Sequence, residues 1–352
     1  MFGLLRFILA TLFIFLHLSD SRTLWPYGYV SLFGFYIMSG YLMAYGLNRN
    51  YGFSKTGSKN FWSNRLLRIA PIYYLIFFIS MALVWSFPGK AGKFHPAMAY
   101  SLRPIDLIGN FTLIPFAFYD MKFRVVPPAW SVAVELVCYV ALWLFIARSQ
   151  RNAIITAAAS FAFSMLTLAL GWDFTWRYQS APAALLPFAL GALVYFNFDK
   201  LKTFILPRKP WLTALAIGFL ILNPMPGLTP SVYRYEYGFY LNTLAMTLLV
   251  AIIAMTKVSS PFLQKADKLL GDLTYPMFIA QWMVAFVLFL IVPGLAPRGY
   301  PIFAYSYPLV IIVSTLIVFL VDRPLQRLRD RFRPHKDSPP DSASSSSEAA
   351  PP

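Results

Sequence analysis

The sequence predicts an all-α fold: a polytopic membrane bundle of about ten transmembrane helices with both termini cytoplasmic. Three observations predict it. First, 58% of the 352 residues are hydrophobic and only 12% are charged, where a soluble domain has about 45–50% apolar and about 25% charged residues. The mean hydropathy is +0.59. Second, the apolar residues are gathered into runs near the roughly 20 residues that a spanning helix needs. Third, the basic residues sit in short connections between those runs and alternate in density. With the N-terminus inside, 21 of the 30 Lys and Arg fall on the inner side and 9 on the outer, the bias that orients membrane proteins. These features exclude an ordinary cytosolic enzyme, a disordered regulator and a nucleic-acid-binding domain, despite the net charge of +16. The single cysteine, Cys138, lies within an apolar run and allows no intramolecular disulfide.

In chain order, the spans are expected near 2–19, 29–47, 70–87, 131–147, 152–170, 181–197, 211–223, 238–256, 271–292 and 302–321. The first lacks a small-x-small cleavage site after its apolar core, so it reads as an uncleaved span rather than a secretory signal. The seventh is short and stops at Asn223-Pro224. The 88–130 loop is the long outer connection. Its apolar stretch 105–119 contains Asn110 and Pro115, and counting it as a span would invert every later loop, so it reads as an interfacial or re-entrant piece. Residues 1–325 form the membrane domain. Residues 326–352 read as a basic, then Ser/Pro-rich, disordered cytoplasmic tail. No internal repeat and no soluble domain are evident.

Ionisable side chains inside a membrane cost about 2.5–3.5 kcal/mol on insertion scales, so each needs a reason. His17 lies near the outer end of span 1, roughly 16 Å beyond Arg6 at 1.5 Å per residue. Glu135 lies about one turn into span 4, which runs inward, so His17 and Glu135 are expected at one depth. A general base and its orienting acid require such a pair. The alternative is an interfacial histidine and a carboxylate satisfied at a helix N-terminus. Arg65 and Arg68 share one helical face at i, i+3 and form either a phosphate or carboxylate clamp or simple topology-setting charge. In Ser39-Gly40-Tyr41, mid-span 2, the small residues permit close helix packing. No Gly-rich phosphate loop, G-x-S-x-G elbow or Cys/His metal spacing is found. With three histidines in the chain, no metal site is expected.

Five ordered motifs resemble the membrane acyltransferase-3 family, bacterial integral-membrane O-acyltransferases of exopolysaccharide and O-antigen type. Arg6, ten residues and then His17 are similar to its first-helix pattern. Leu32-Phe33 with Ser39-Gly40-Tyr41-Leu42 resembles its "LFFVLSGFL" stretch. Arg65-Leu-Leu-Arg68-Ile-Ala-Pro71-Ile-Tyr73 resembles its Arg-x-x-Arg motif, and Trp130-Ser131-Val-Ala-Val-Glu135-Leu-Val-Cys-Tyr139 its "WSLSVEEQFY" signature. Leu270-Gly271-Asp-Leu-Thr-Tyr275-Pro-Met-Phe278 is similar to its "LGxxSYxLYL". The chain departs at Gln281, where many members carry His, and at Asp322-Arg-Pro324, where Glu-x-Pro is common.

The resemblance implies a bacterial inner-membrane enzyme that moves an acyl group, most often acetyl, from acyl-CoA to a hydroxyl of a surface or secreted carbohydrate. It implies His17 and Glu135 as catalytic residues and Arg6, Arg65 and Arg68 as acyl-CoA-binding residues. Ser39, Trp130, Ser131, Tyr139 and Tyr275 are implied as supporting residues. No bound cofactor or metal is implied; acyl-CoA (acetyl-CoA) is the donor substrate. The expected partners are acyl-CoA, a carbohydrate or lipid-linked glycan, membrane lipid and, as a further candidate, polysaccharide assembly machinery, with no nucleic acid. The alternative reading is a non-enzymatic transporter or flippase for a lipid-linked glycan, using the His/Glu pair for proton coupling.

Overall fold

The computed structural model describes residues 1–118 and 122–332. It is 83% helical, with no strand among the described residues. Ten helical segments are long and apolar enough to cross a membrane. We number their main helices α1 (Phe2–Ser19), α2 (Trp25–Gly46), α3 (Lys55–Ser86), α4 (Ala129–Leu144), α5 (Gln150–Ala169), α6 (Ala181–Phe196), α7 (Lys209–Leu222), α8 (Ser231–Ala254), α9 (Pro261–Ile291) and α10 (Tyr300–Ile317). The ten expected spans are all present. The observed helices overrun several of them; α9 begins at Pro261, and the turns before its apolar stretch are exposed or half-buried. In α3 this matters most: the helix starts at Lys55, so Arg65 and Arg68 lie within it and not in a loop before it.

Two contacts set the geometry of the core. Helices α1 and α9 run parallel and are pinned at their starts. The Asp267 carboxylate accepts from the backbone N–H of Gly3 (3.2 Å) and Leu4 (2.9 Å) and pairs with the N-terminal ammonium at 3.1 Å. These are orphan donors of the first turn of α1, where a carboxylate is also favoured by the helix dipole. The pin fixes the register of α1 against α9, with Phe13 beside Phe278 and His17 beside Trp282. Helices α2 and α6 approach more closely still. A Cβ on Gly40 would lie 2.2 Å from the Phe188 carbonyl oxygen, and one on Gly191 would lie 2.1 Å from that of Ile37. Gly40 therefore acts as the close-packing residue that its setting in the sequence suggests. Gly40→Val is expected to cost about 3 kcal/mol or more, since backbone is what the new atoms meet. Gly218→Ala, on α7 with nothing near the new Cβ, is expected to be neutral. Thermal unfolding of the two solubilised variants, followed by size-exclusion chromatography, checks the contrast.

The connection between α3 and α4 folds back into the protein. Its helix Pro104–Thr112 has nine residues, far too few to span, and Asn110 at its end is fully buried. The Asn110 side chain accepts from Val125 N–H (2.9 Å) and donates to the carbonyls of Asp106 (2.8 Å) and Phe123 (2.9 Å). Its own carbonyl accepts from the Tyr73 hydroxyl at 2.6 Å. A buried polar backbone must be paired, and this one asparagine pairs much of the inward-folded segment.

At the other end of the chain, α10 passes through a wide helical turn (Val318–Asp322) into the helix Arg323–Asp330. That helix crosses the expected domain boundary at 325. Arg329, expected in the tail, is buried and pairs with Asp322 at 3.0 Å, and the Asn64 side chain donates to its carbonyl (3.2 Å). A charge pattern alone gave no sign of this partner. The rest of the expected tail, 333–352, lies outside the described residues.

Candidate active site

Five helices converge on one chamber of about 110 Å³. Arg6 comes from α1, Ser39 from α2, Arg65 and Arg68 from α3, Glu135 and Tyr139 from α4, and Tyr275 from α9. Three guanidinium groups therefore face a single carboxylate. The Glu135 Oε1 atom accepts from the Ser39 hydroxyl (2.8 Å) and from Tyr139, one turn along the same helix, at 2.5 Å. The Tyr275 hydroxyl donates to the Ile69 carbonyl (3.1 Å), tying α9 to α3 beside the arginines. Ser131 also lines the chamber, and its backbone carbonyl accepts from Tyr36 at 3.1 Å. Trp130 does not line it; its ring packs edge-on against Tyr178. Arg65 keeps a buried Nε–H without a partner, a donor available to an incoming acceptor group.

A wider vestibule of about 520 Å³ shares Arg6, Met43, Arg65, Arg68 and Tyr275 with the chamber and adds Lys268, Asp272 and the Asp322–Arg329 pair. Its walls come from the ends of helices that share a side with the N-terminus and the connection between α2 and α3. On the charge distribution, that is the side dense in Lys and Arg.

His17 is elsewhere. Its ring packs edge-on against Phe13 (4.0 Å between centroids) and lies 5.7 Å from Trp282. Arg298, from the α9–α10 connection, sits 4.0 Å over the Trp282 ring and donates to the His17 carbonyl (3.0 Å). The second histidine of the described chain, His95, contacts the same tryptophan with centroids 4.6 Å apart. Between this cluster and the chamber stand Phe13 and Phe278, stacked at 5.0 Å. Phe278 lines the chamber, and Trp282 is one turn further along α9, about 6 Å.

The expected His17–Glu135 pair therefore does not form. Counting depth from the first residue of each span assumes that α4 begins at the outer face. In the fold, residues 125–129 are already buried beneath the inward-folded connection, and α4 has only 16 residues, about 24 Å. Glu135 consequently sits deeper than counting implies, among the arginines. Sequence reasoning also missed His95, Arg298 and Trp282. His95 lies in a long loop whose fold depends on Asn110, and no local pattern marks it.

Among the described residues, no group of three His, Cys, Asp or Glu could hold a metal ion. The family model of the acyltransferase domain matches residues 2–323, nearly the whole chain. The chain belongs to the acyltransferase-3 family. No curated protein and no solved structure matches it. The membership makes the bundle a multi-pass membrane acyltransferase, and the candidate site residues of this acyltransferase are divided between an arginine-rich chamber and an aromatic-walled histidine cluster one helical turn beyond it.

Proposed function

We propose that this acyltransferase moves an acyl group, acetyl in the simplest case, from acyl-CoA to a hydroxyl of a surface or secreted carbohydrate, in a bacterial inner membrane. The observation that carries the proposal is the convergence of Arg6, Arg65 and Arg68 on one chamber behind a wide vestibule. A nucleotide thioester is polyanionic at one end and reactive at the other. The vestibule suits the phosphates, which guanidinium groups bind in a planar fork. Glu135, held by Ser39 and Tyr139, lines the same chamber and partly balances the arginines' charge. The narrow chamber suits the extended arm that carries the thioester.

The one-turn separation between Phe278 and Trp282 supports an arm that threads past the Phe13–Phe278 stack to His17, with no covalent carrier needed. There, His17 takes the proton from the acceptor hydroxyl, and the oxygen attacks the thioester carbonyl carbon. The tetrahedral oxyanion collapses, the C–S bond breaks, and the departing thiolate takes the proton back from His17. The products are the ester and free CoA thiol.

Sealed vesicles of known orientation test this reading with radiolabelled acetyl-CoA, which does not cross the bilayer. Unacylated surface polysaccharide from cells lacking the protein serves as acceptor, on both sides of the bilayer. Label is expected in base-labile ester only when the arginine end faces the acetyl-CoA. No labelled ester in either orientation contradicts the proposal.

A further inference from the structure

We propose that His95 is a catalytic residue of the transfer, donating a hydrogen bond from Nε2–H to the thioester carbonyl oxygen as it becomes an oxyanion. The proposal rests on the acyl-transfer reading above and supplies what that reading lacks, a donor for the developing charge.

Three observations carry it. First, the fold gathers two of the chain's three histidines around one tryptophan. His17 arrives from α1 and His95 from the far connection, more than seventy residues away, both against Trp282. His17 and His95 are half-buried residues, and Trp282, which both rings face, is buried. In this proposal the thioester group lies between the two rings, beside Trp282.

Second, the tautomer of His95 is fixed by its own loop. Its Nδ1 accepts from the Ala97 N–H at 3.0 Å. An accepting nitrogen carries no proton, so the neutral ring carries its hydrogen on Nε2, at the opposite edge. The ring stays neutral, because burial, then the charge of Arg298, then His17 and Arg124 push its pKa down to about 3. At that edge the neutral ring offers a hydrogen-bond donor. His17 is the complement: its Nδ1 is buried without a partner.

Third, the placement is rigid. Arg124 N–H donates to the Ala97 carbonyl at 2.6 Å, and Val125 N–H to the Asn110 side chain. The His95 segment is thereby tied to the same buried asparagine that organises the whole connection. Preorganised donors are what stabilise a developing oxyanion, since no reorganisation is needed when charge appears. Arg298, over Trp282, adds a positive field to the same space.

The chemistry remains balanced: His17 moves the proton, and His95 moves none. It only shortens its hydrogen bond as the carbonyl oxygen gains charge and relaxes when the C–S bond breaks.

Two substitutions separate this role from a structural one. In His95→Asn, the side-chain oxygen replaces Nδ1 as acceptor for Ala97 N–H, which keeps the loop but removes the Nε2 donor. In His95→Gln, the amide NH₂ reaches about the place of Nε2 and keeps a donor there. The assay measures CoA thiol released from acetyl-CoA by the full-length protein in nanodiscs, with unacylated polysaccharide as acceptor. For His95→Asn, kcat is expected to fall about 10²–10³-fold, the usual effect of losing one oxyanion donor, with the KM for acetyl-CoA within about threefold. His95→Gln is expected to recover at least tenfold of that loss. If wild type is active and His95→Asn matches it, or if both variants are equally impaired, the oxyanion role is overturned while the acyl-transfer reading stands. If wild type releases no thiol in response to acceptor, the acyl-transfer reading itself fails, and the role of His95 with it.

Discussion

His17→Ala is expected to abolish acyl transfer while leaving the protein inserted and folded. A positioned general base is worth about 10²–10⁴-fold, and nothing near His17 can replace it. Gln281 is an amide, His95 has its Nδ1 committed to Ala97, and Glu135 lies on the far side of the Phe13–Phe278 stack. Folding should survive, because the substitution removes a polar ring from the membrane level, where such groups carry a cost. The register of α1 is held at its other end by Asp267. The check is acyl transfer per folded protein, with size-exclusion elution as the measure of fold. Retained transfer, within tenfold of wild type, removes His17 from the chemistry.

Arg65→Ala is expected to raise the KM for acyl-CoA about 10–100-fold, with a smaller change in kcat. Hydrogen bonds to charged groups are worth about 1.5–3 kcal/mol, and Arg65 stands where chamber and vestibule meet, with a buried Nε–H still unpaired. Arg65→Lys should recover only part of the loss, because an ammonium is a point donor and cannot span two oxygens as the planar fork does. Titration of acetyl-CoA against each variant reads this directly. Full affinity in an Arg65→Lys, Arg68→Lys double variant means that the two arginines supply only charge and orientation signals.

The architecture was largely legible in the sequence because membrane insertion is governed by run length and loop charge, both local properties. Parity held at 105–119 for the same reason: a nine-residue helix ending at Asn110 cannot span. The site was legible in part. Arg6, Arg65, Arg68, Ser39, Tyr139 and Tyr275 do meet, because one helical face per span determines which residues point inward. The partner of Glu135 was not legible. Depth along a span depends on where the helix starts in space, and for α4 that is set by the buried 125–129 segment, a consequence of the tertiary fold. Nor was His95, whose position follows from hydrogen bonds made by Asn110 far along the same loop. Arg329 shows the same limit at the C-terminal end, where its pairing with Asp322 turns apparent tail into buried structure.

This acyltransferase is expected to make an ester bond and not to carry a glycan across the bilayer. Two quantities measured together on cells with wild-type protein and with His17→Ala decide between these: surface polysaccharide per cell, and ester-linked acyl group per sugar. Acyl transfer predicts that the polysaccharide is still exported and that its ester content falls to the level of cells lacking the protein. Loss of exported polysaccharide, with unchanged ester content on whatever sugar reaches the surface, contradicts it and assigns the protein to transport.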